Sequence, residues 1–320
     1  MPEKVLITRE IPDAGLRLLG DFDVTVLSEA PPEREELLEA VRGAGGILSV
    51  LTEKIDAEVM DAAGESLKVV ANMAVGYDNV DLQAAGQRDI VVTNTPEVLN
   101  ETTADTAFML LLAAARRLGE GERLLRSGQW DAWGPMQLTG PDVWGKKLGV
   151  LGFGRIGRAV ARRASGFGME VLYHDQYRNE DAEEDLGARY LELDDLLREA
   201  DFVSVHTPLT PETRHLIGTR ELDLMQQTAV LVNTSRGPVV DESALADALE
   251  NKHIFAAGLD VYEEEPEVHP KLLELENVVL APHIGSASIE TRNKMAALAA
   301  ENLAAVLRGE PAKTPVGNGR

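Results

Sequence analysis

The chain contains no cysteine. That excludes a disulfide framework and any chemistry that needs a thiolate. Basic residues are also scarce: 31 Lys and Arg face 54 Asp and Glu, for a formal net charge of −23, and only 9 of the bases are lysine. Such a surface repels nucleic acid and anionic lipid, so neither is expected as a partner. There is no apolar run long enough to span a bilayer and no signal-peptide pattern at the N-terminus, so the cytoplasm is the expected compartment. No metal-ligating pattern, internal repeat or low-complexity tract is found. The acids are spread along the chain, which reads as a solvated surface. Strong acidity with little lysine resembles proteins of salt-loving organisms, where screening relieves self-repulsion.

What is present is enough for two domains: 320 residues, 44% of them hydrophobic. Strand-like runs at residues 4–8, 23–28, 46–51, 68–73 and 89–93 alternate with helical patterns at 12–19, 32–41 and 56–62. This alternation predicts an α/β fold with parallel sheets. Ligands in such sheets collect at the C-terminal ends of strands. Two stretches therefore stand out, Ser49-Val50-Leu51-Thr52 and the segment from Asn72 to Asp78. In the second, Gly76 can bring backbone N–H groups against an anion, or simply mark a turn. Pro96 reads as a domain crossing. Residues 100–117 form a long, very apolar helical pattern, which predicts a buried helix. Thr102 and Thr103 near its start read first as caps. Residues 119–144 hold Trp130, Trp133 and Trp144. This stretch is too long for a simple loop and predicts an arm that a partner covers.

The strongest motif is Gly152-Phe153-Gly154-Arg155-Ile156-Gly157, G-x-G-x-x-G, between an apolar strand and a helical pattern. In that context the first glycine permits a tight turn. The second lets N–H groups approach a pyrophosphate, and the third lets helix and strand pack closely. The anion would sit on the helix N-terminus. The next strand ends at Asp175, where a carboxylate would accept from an adenosine ribose and repel a 2′-phosphate. NAD is therefore expected, with NADH preferred over NADPH. Arg178 is the one nearby group that could reach a 2′-phosphate.

Four further strands end in polar residues: Thr207, Arg236, Asp260 and His283. Singly, each reads as an ordinary surface or hydrogen-bonded side chain. Together, along one sheet edge, they form a plausible acid–base site.

The blocks Asn233-Thr234-Ser235-Arg236-Gly237, Gly258 to Pro266 (through Glu263-Glu264-Glu265) and Ala281-Pro282-His283-Ile284-Gly285, with the glycine loop, resemble those of the D-isomer-specific 2-hydroxyacid dehydrogenases. The likeness is greatest to their glyoxylate and hydroxypyruvate reductase branch. The resemblance implies two Rossmann- or flavodoxin-like domains with the active site in the cleft between them. A discontinuous substrate-binding domain would take residues 1–98 and 288–320, and an NAD-binding domain residues 99–287. It implies Arg236, Glu265 and His283 as the catalytic set. A guanidinium suits a planar carboxylate, and backbone N–H groups at Val75 and Gly76 would share it. His283 would protonate the carbonyl oxygen, with Glu265 orienting the ring. Leu51 would shape the substrate pocket. Arg155, Ile156, Thr103, Thr207, Ser235, Asp260 and Gly285 would touch the cofactor, Asp260 at the carboxamide. The small-molecule partner would be a 2-keto or 2-hydroxy acid, and the assembly a homodimer. Two alternatives stay open: an NAD-sensing, corepressor-like interaction protein of the same fold, and a reductase of another 2-keto acid.

Overall fold

A computed structural model of the chain describes residues 2–28 and 30–317. Among them the chain divides into two compact units. One runs from the N-terminus to Leu99 and resumes at Ala287; the other is Asn100–Ser286.

In the first unit five strands form one sheet: β1 Lys4–Ile7, β2 Asp23–Val26, β3 Gly46–Ser49, β4 Val69–Asn72 and β5 Val91–Thr93. Their order is β2-β1-β3-β4-β5, and every pair is parallel. The inner strands are apolar almost throughout because helices cover both faces. Leu6, Ile47, Val70 and Val92 point into one core with Val41 and Val59. On the other face lies the last helix, Ile289–Leu307. There, a Cβ placed on Gly46 would stand 3.2 Å from Leu303, and one on Gly15 would stand 2.8 Å from the Ala296 carbonyl oxygen. These close approaches tie the C-terminal helix to the N-terminal sheet and to the short helix Asp13–Leu16, despite their distance in sequence.

The second unit has a seven-stranded sheet: β6 Lys147–Leu151, β7 Glu170–His174, β8 Arg189–Tyr190, β9 Phe202–Val205, β10 Val230–Asn233, β11 Ala256–Leu259 and β12 Val278–Leu280. The order is β12-β11-β10-β9-β6-β7-β8, again wholly parallel. The chain builds outward from β6 to β8, then returns to lay β9 against the other side of β6. That reversal opens a crevice at the C-terminal ends of β6 and β9, where such sheets bind ligands. Alternate strand residues enter separate cores. Leu148, Val150, Phe202 and Val232 pack with the helix Asn100–Ala115, while Leu151, Val205, Leu231 and Leu259 face the opposite layer. Each such side chain, fully buried, contributes roughly 1.5–3 kcal/mol.

Two expectations need correction. The helix starts at Asn100, so Thr102 and Thr103 lie inside its first turn and neither is its cap. Thr103 is buried there. Residues 119–144 are also not irregular throughout, because Leu118–Arg126 is a helix. Its two glycines argue against a helix on propensity, but an i,i+3 pair between Arg117 and Glu120 closes its first turn at 2.6 Å. Beyond it, Trp130, Trp133 and Met136 are exposed.

Candidate active site

The crevice is built by glycine. Gly152 ends β6 with φ +87°, a backbone region that side chains disfavour. A Cβ there would also stand 2.8 Å from the His206 backbone and from the Thr207 nitrogen. At Gly157 a Cβ would stand 2.1 Å from the Gly152 carbonyl oxygen. The first and third glycines are therefore required by close approach. Gly154 is different: it is exposed, and a Cβ would meet nothing within 4 Å. It caps the helix Arg155–Ser165 without a side-chain bond, so no side chain of its own satisfies the helix start.

Asp175, just past β7, accepts a hydrogen bond from the Phe153 N–H at 2.6 Å. This ties the end of β7 to the glycine loop. Arg178 is paired with an acid. Its Nε and Nη2 each donate to Glu183 at 2.8 Å, and the Tyr173 hydroxyl donates to the same carboxylate at 2.6 Å. These bonds hold the Glu183 carboxyl down at about 2, the Arg178 one contributing most. Burial, with that acidic partner, pushes the Tyr173 phenol up to about 12.

At the strand ends of this seven-stranded sheet, Thr207 Oγ1 after β9 and Thr234 Oγ1 after β10 are buried with no hydrogen-bond partner among the described residues. Buried polar atoms are rarely left so. Together with the helix N-terminus that lacks a side-chain cap and the Asp175 carboxylate, they fit a dinucleotide laid across the strand ends. Arg155 is exposed and Ile156 half-buried at the helix start. Thr234 is a candidate contact that strand-end reasoning passed over in favour of its neighbours; its position inside the Asn233–Gly237 block was the available signal.

Three turns then converge. After β10, buried Asn233 organises the first: its Oδ1 accepts from Ser235 N and Oγ, and its Nδ2 donates to the Arg236 carbonyl at 2.9 Å. Ser235 is thus engaged with its own turn, and Arg236 Nη1 donates to the Ser235 carbonyl at 2.8 Å. Gly237 follows, wedged so tightly that a Cβ would fall 1.8 Å from the Tyr262 carbonyl carbon. The Arg236 turn and the turn after β11 therefore lock into each other.

The turn after β12 carries His283, whose φ is +53°. A left-handed histidine costs of order 1–3 kcal/mol and persists only where its surroundings enforce it. Here buried Asp260 enforces it, accepting from both Ile284 N and Gly285 N at 2.7 Å. Burial pushes the Asp260 carboxyl above its ordinary range; the Ile284 N–H, the nearby His283 and the Gly285 N–H only partly offset this. Asp260 thus shapes the histidine turn directly. Gly285 leaves a prospective Cβ 3.0 Å from Asp260 Oδ2 and 3.5 Å from Thr103, so Thr103, Asp260 and Gly285 form one packed cluster.

His283 Nδ1 lies 2.8 Å from Glu265 Oε2. The other carboxylate oxygen accepts from Tyr262 N at 3.0 Å. Burial alone would raise the Glu265 carboxyl. The His283 bond and charge, the Tyr262 N–H and the charge of Arg236 outweigh it, and the group sits below its ordinary value. Glu265 is therefore an anion at neutral pH. The two side chains keep 27% and 29% of their accessible surface, which leaves the pair open on one side. In the first unit, Leu51 is half-buried after β3, and Val75 and Gly76 are half-buried after β4. The Val75 carbonyl accepts from Asn94 Nδ2 at 2.8 Å.

A parallel sheet with a glycine-built switch point and an imidazole–carboxylate pair at its strand ends defines a dinucleotide-dependent oxidoreductase type of site. Residues 108–285 match the NAD-binding domain of the D-isomer specific 2-hydroxyacid dehydrogenases. The chain belongs to that family, whose members are oxidoreductases acting on the CH–OH group of 2-hydroxy acids. A glyoxylate reductase of Korarchaeum cryptofilum is 55% identical over 97% of this chain and 94% of its own. The crystal structure of a Thermus thermophilus protein superposes with a TM-score of 0.93 at 48% identity, covering 98% of this chain and 100% of that one. An NADPH-dependent glyoxylate/hydroxypyruvate reductase of Sinorhizobium meliloti, solved with NADP and malonate, gives 0.87 at 38% identity, covering 99% and 97%. Among the described residues no helix is long and apolar enough to cross a membrane.

Proposed function

We propose that the chain reduces a small 2-keto acid, glyoxylate or hydroxypyruvate, to the 2-hydroxy acid with NADH. The observation that carries this reading is the His283–Glu265 pair, 2.8 Å apart, on turns that share a sheet edge with Arg236 and the glycine loop. The names of the relatives supply the substrate size.

A reduced nicotinamide supplies hydride to the keto carbon. The chain's residues do the rest. Arg236 holds the substrate carboxylate through its planar fork. As charge gathers on the carbonyl oxygen, the His283 ring donates its Nε2 proton there, so that C=O, hydride and proton become CH–OH. Proton delivery of this kind contributes roughly 10²–10⁴-fold. Glu265, ionised, accepts from Nδ1–H, which fixes the tautomer and the ring plane. Thr207, Thr234, Ser235, Arg155 and Ile156 would border the cofactor, with Thr103, Asp260 and Gly285 at its nicotinamide end. Two features support NADH over NADPH: the Asp175 carboxylate at the end of β7, and the Glu183 clamp that occupies Arg178.

The protein would work in the cytoplasm as a homodimer, with the exposed Trp130, Trp133 and Met136 covered by a second copy. Light scattering at assay concentration tests the assembly. A spectrophotometric panel of 2-keto acids against NADH and NADPH tests the function. Turnover is expected for glyoxylate and hydroxypyruvate, faster with NADH. Absence of turnover with every 2-keto acid would favour a cofactor-sensing role, and faster turnover with NADPH would overturn the cofactor assignment.

A further inference from the structure

Among the buried carboxylates outside the site described so far, Glu53 and Glu242, the second adjoins the catalytic turns. Glu242 opens the helix Glu242–Glu250, which follows the Arg236 turn. Its side chain does not face solvent: only 7% of the residue is exposed. Its Oε1 accepts the Glu263 N–H at 2.6 Å, and its Oε2 accepts the His269 N–H at 3.3 Å. The bond is returned, because Glu263 Oε1 accepts the Glu242 N–H at 2.9 Å. Glu263 is in turn held by His215, whose Nε2 lies 3.0 Å from Oε2. A first-turn glutamate needs none of this, since helix dipoles are satisfied at the surface. Burial pushes the Glu242 carboxyl up, and so does the charge of Glu263; the two accepted N–H bonds pull it back.

The segment so grasped, Glu263 to His269, is the one that carries Glu265. The other end of the arrangement is the Arg236 turn, already wedged against Tyr262 and Glu263 through Gly237. We propose that Glu242 is a positioning residue, whose reciprocal clasp with Glu263 fixes the Glu265 carboxylate against the His283 ring and in register with Arg236. The inference rests on the reading that Glu265 and His283 act as a pair. Without the clasp, the Glu265 turn keeps the Gly237 wedge, the Tyr262 N–H bond and the His215 contact but loses its paired bonds to the start of the helix Glu242–Glu250. A carboxylate that drifts by a fraction of an ångström no longer aligns the imidazole, and misplacement of about 1 Å can cost about 10²-fold in rate.

The test compares Glu242→Ala, Glu242→Gln, Glu263→Ala and Leu245→Ala in the full chain. Leu245 is fully buried in the same helix and serves as the stability control. Three quantities are read: kcat and KM with the best 2-keto acid, NADH affinity by fluorescence, and the ring signals of 15N-labelled histidine. With only six histidines in the chain, the His283 signal is assigned by its loss in His283→Asn. Glu242→Ala is expected to lower kcat by about tenfold or more, to leave NADH affinity unchanged within about twofold, and to move the His283 ring signal. Glu242→Gln keeps an oxygen for the Glu263 N–H and is expected to restore most of kcat. Leu245→Ala should lower Tm with kcat and the His283 signal unmoved. If Glu242→Ala does not fold, Glu263→Ala removes the return half of the clasp and should show the same pattern, more weakly. A folded Glu242→Ala with normal kcat and an unmoved His283 signal would overturn the proposal. So would equal loss of kcat in Leu245→Ala, or a Glu242→Gln as impaired as the alanine. Should the wild type turn over no 2-keto acid, the functional reading fails, while the histidine signal still decides whether Glu242 positions the pair.

Discussion

Glu265 Oε2 and His283 Nδ1, from turns on adjacent strands β11 and β12, meet at 2.8 Å, and this contact engages one of the ring's two nitrogens. Nε2 has no hydrogen-bond partner among the described residues. A ring held at one nitrogen and open at the other is the arrangement a proton donor needs.

His283→Asn should therefore lower kcat by roughly 10²–10⁴-fold, with NADH affinity left within about twofold because the glycine loop is untouched. Stopped-flow turnover and fluorescence titration read the two separately. Near-normal turnover would contradict the proton-donor role.

Arg236→Lys keeps the charge and loses the fork. KM for the keto acid should rise and kcat/KM fall by about 10–10²-fold, as expected when a bidentate guanidinium becomes a point charge. Initial-rate kinetics across substrate concentration decide it, and an unchanged kcat/KM would remove the carboxylate clamp.

Asp175→Ser removes the carboxylate that meets the Phe153 N–H. The ratio of kcat/KM for NADH over that for NADPH should drop by about tenfold, roughly 1.4 kcal/mol. Because Glu183 still occupies Arg178, NADPH should remain a modest cofactor and not an efficient one. A ratio identical to wild type would show that other residues discriminate.

Glu183 provides a pH prediction. Its folded carboxyl sits at about 2, below the ordinary glutamate value of about 4.3. A depressed folded pKa stabilises the native state fully above the unfolded value, and the stabilisation is lost as pH falls through the folded one. The Tm advantage of wild type over Glu183→Gln should thus be constant above about pH 5 and shrink steadily between about pH 4.3 and pH 2. Thermal melts across that range check it; an advantage that does not change with pH would show that the carboxylate's charge contributes nothing.

How much of this was written in the sequence depends on the kind of constraint. Gly152 and Gly157 were legible because each replaces a Cβ that would strike backbone, and only one residue type solves that problem. The strand ends were legible because strands buried on both faces are apolar runs that stop abruptly at polar residues. The start of the helix at Asn100 was legible as well, and only the reading of Thr102 and Thr103 as caps failed, because both lie inside its first turn. The helix Leu118–Arg126 was hidden by Gly119 and Gly121. The bonds of Asp260 to the histidine turn and the clasp of Glu242 were obscured for another reason. A carboxylate that accepts backbone N–H groups from a distant turn leaves no spacing signal, since its partners are peptide groups that every residue possesses.

The Gly237 wedge has an evolutionary corollary. Turns pressed together with no space for a methyl group cannot absorb insertions or larger side chains without displacing the residues they present. Descent of such a chain is therefore constrained at position 237, where a single added methyl group would disturb both turns at once.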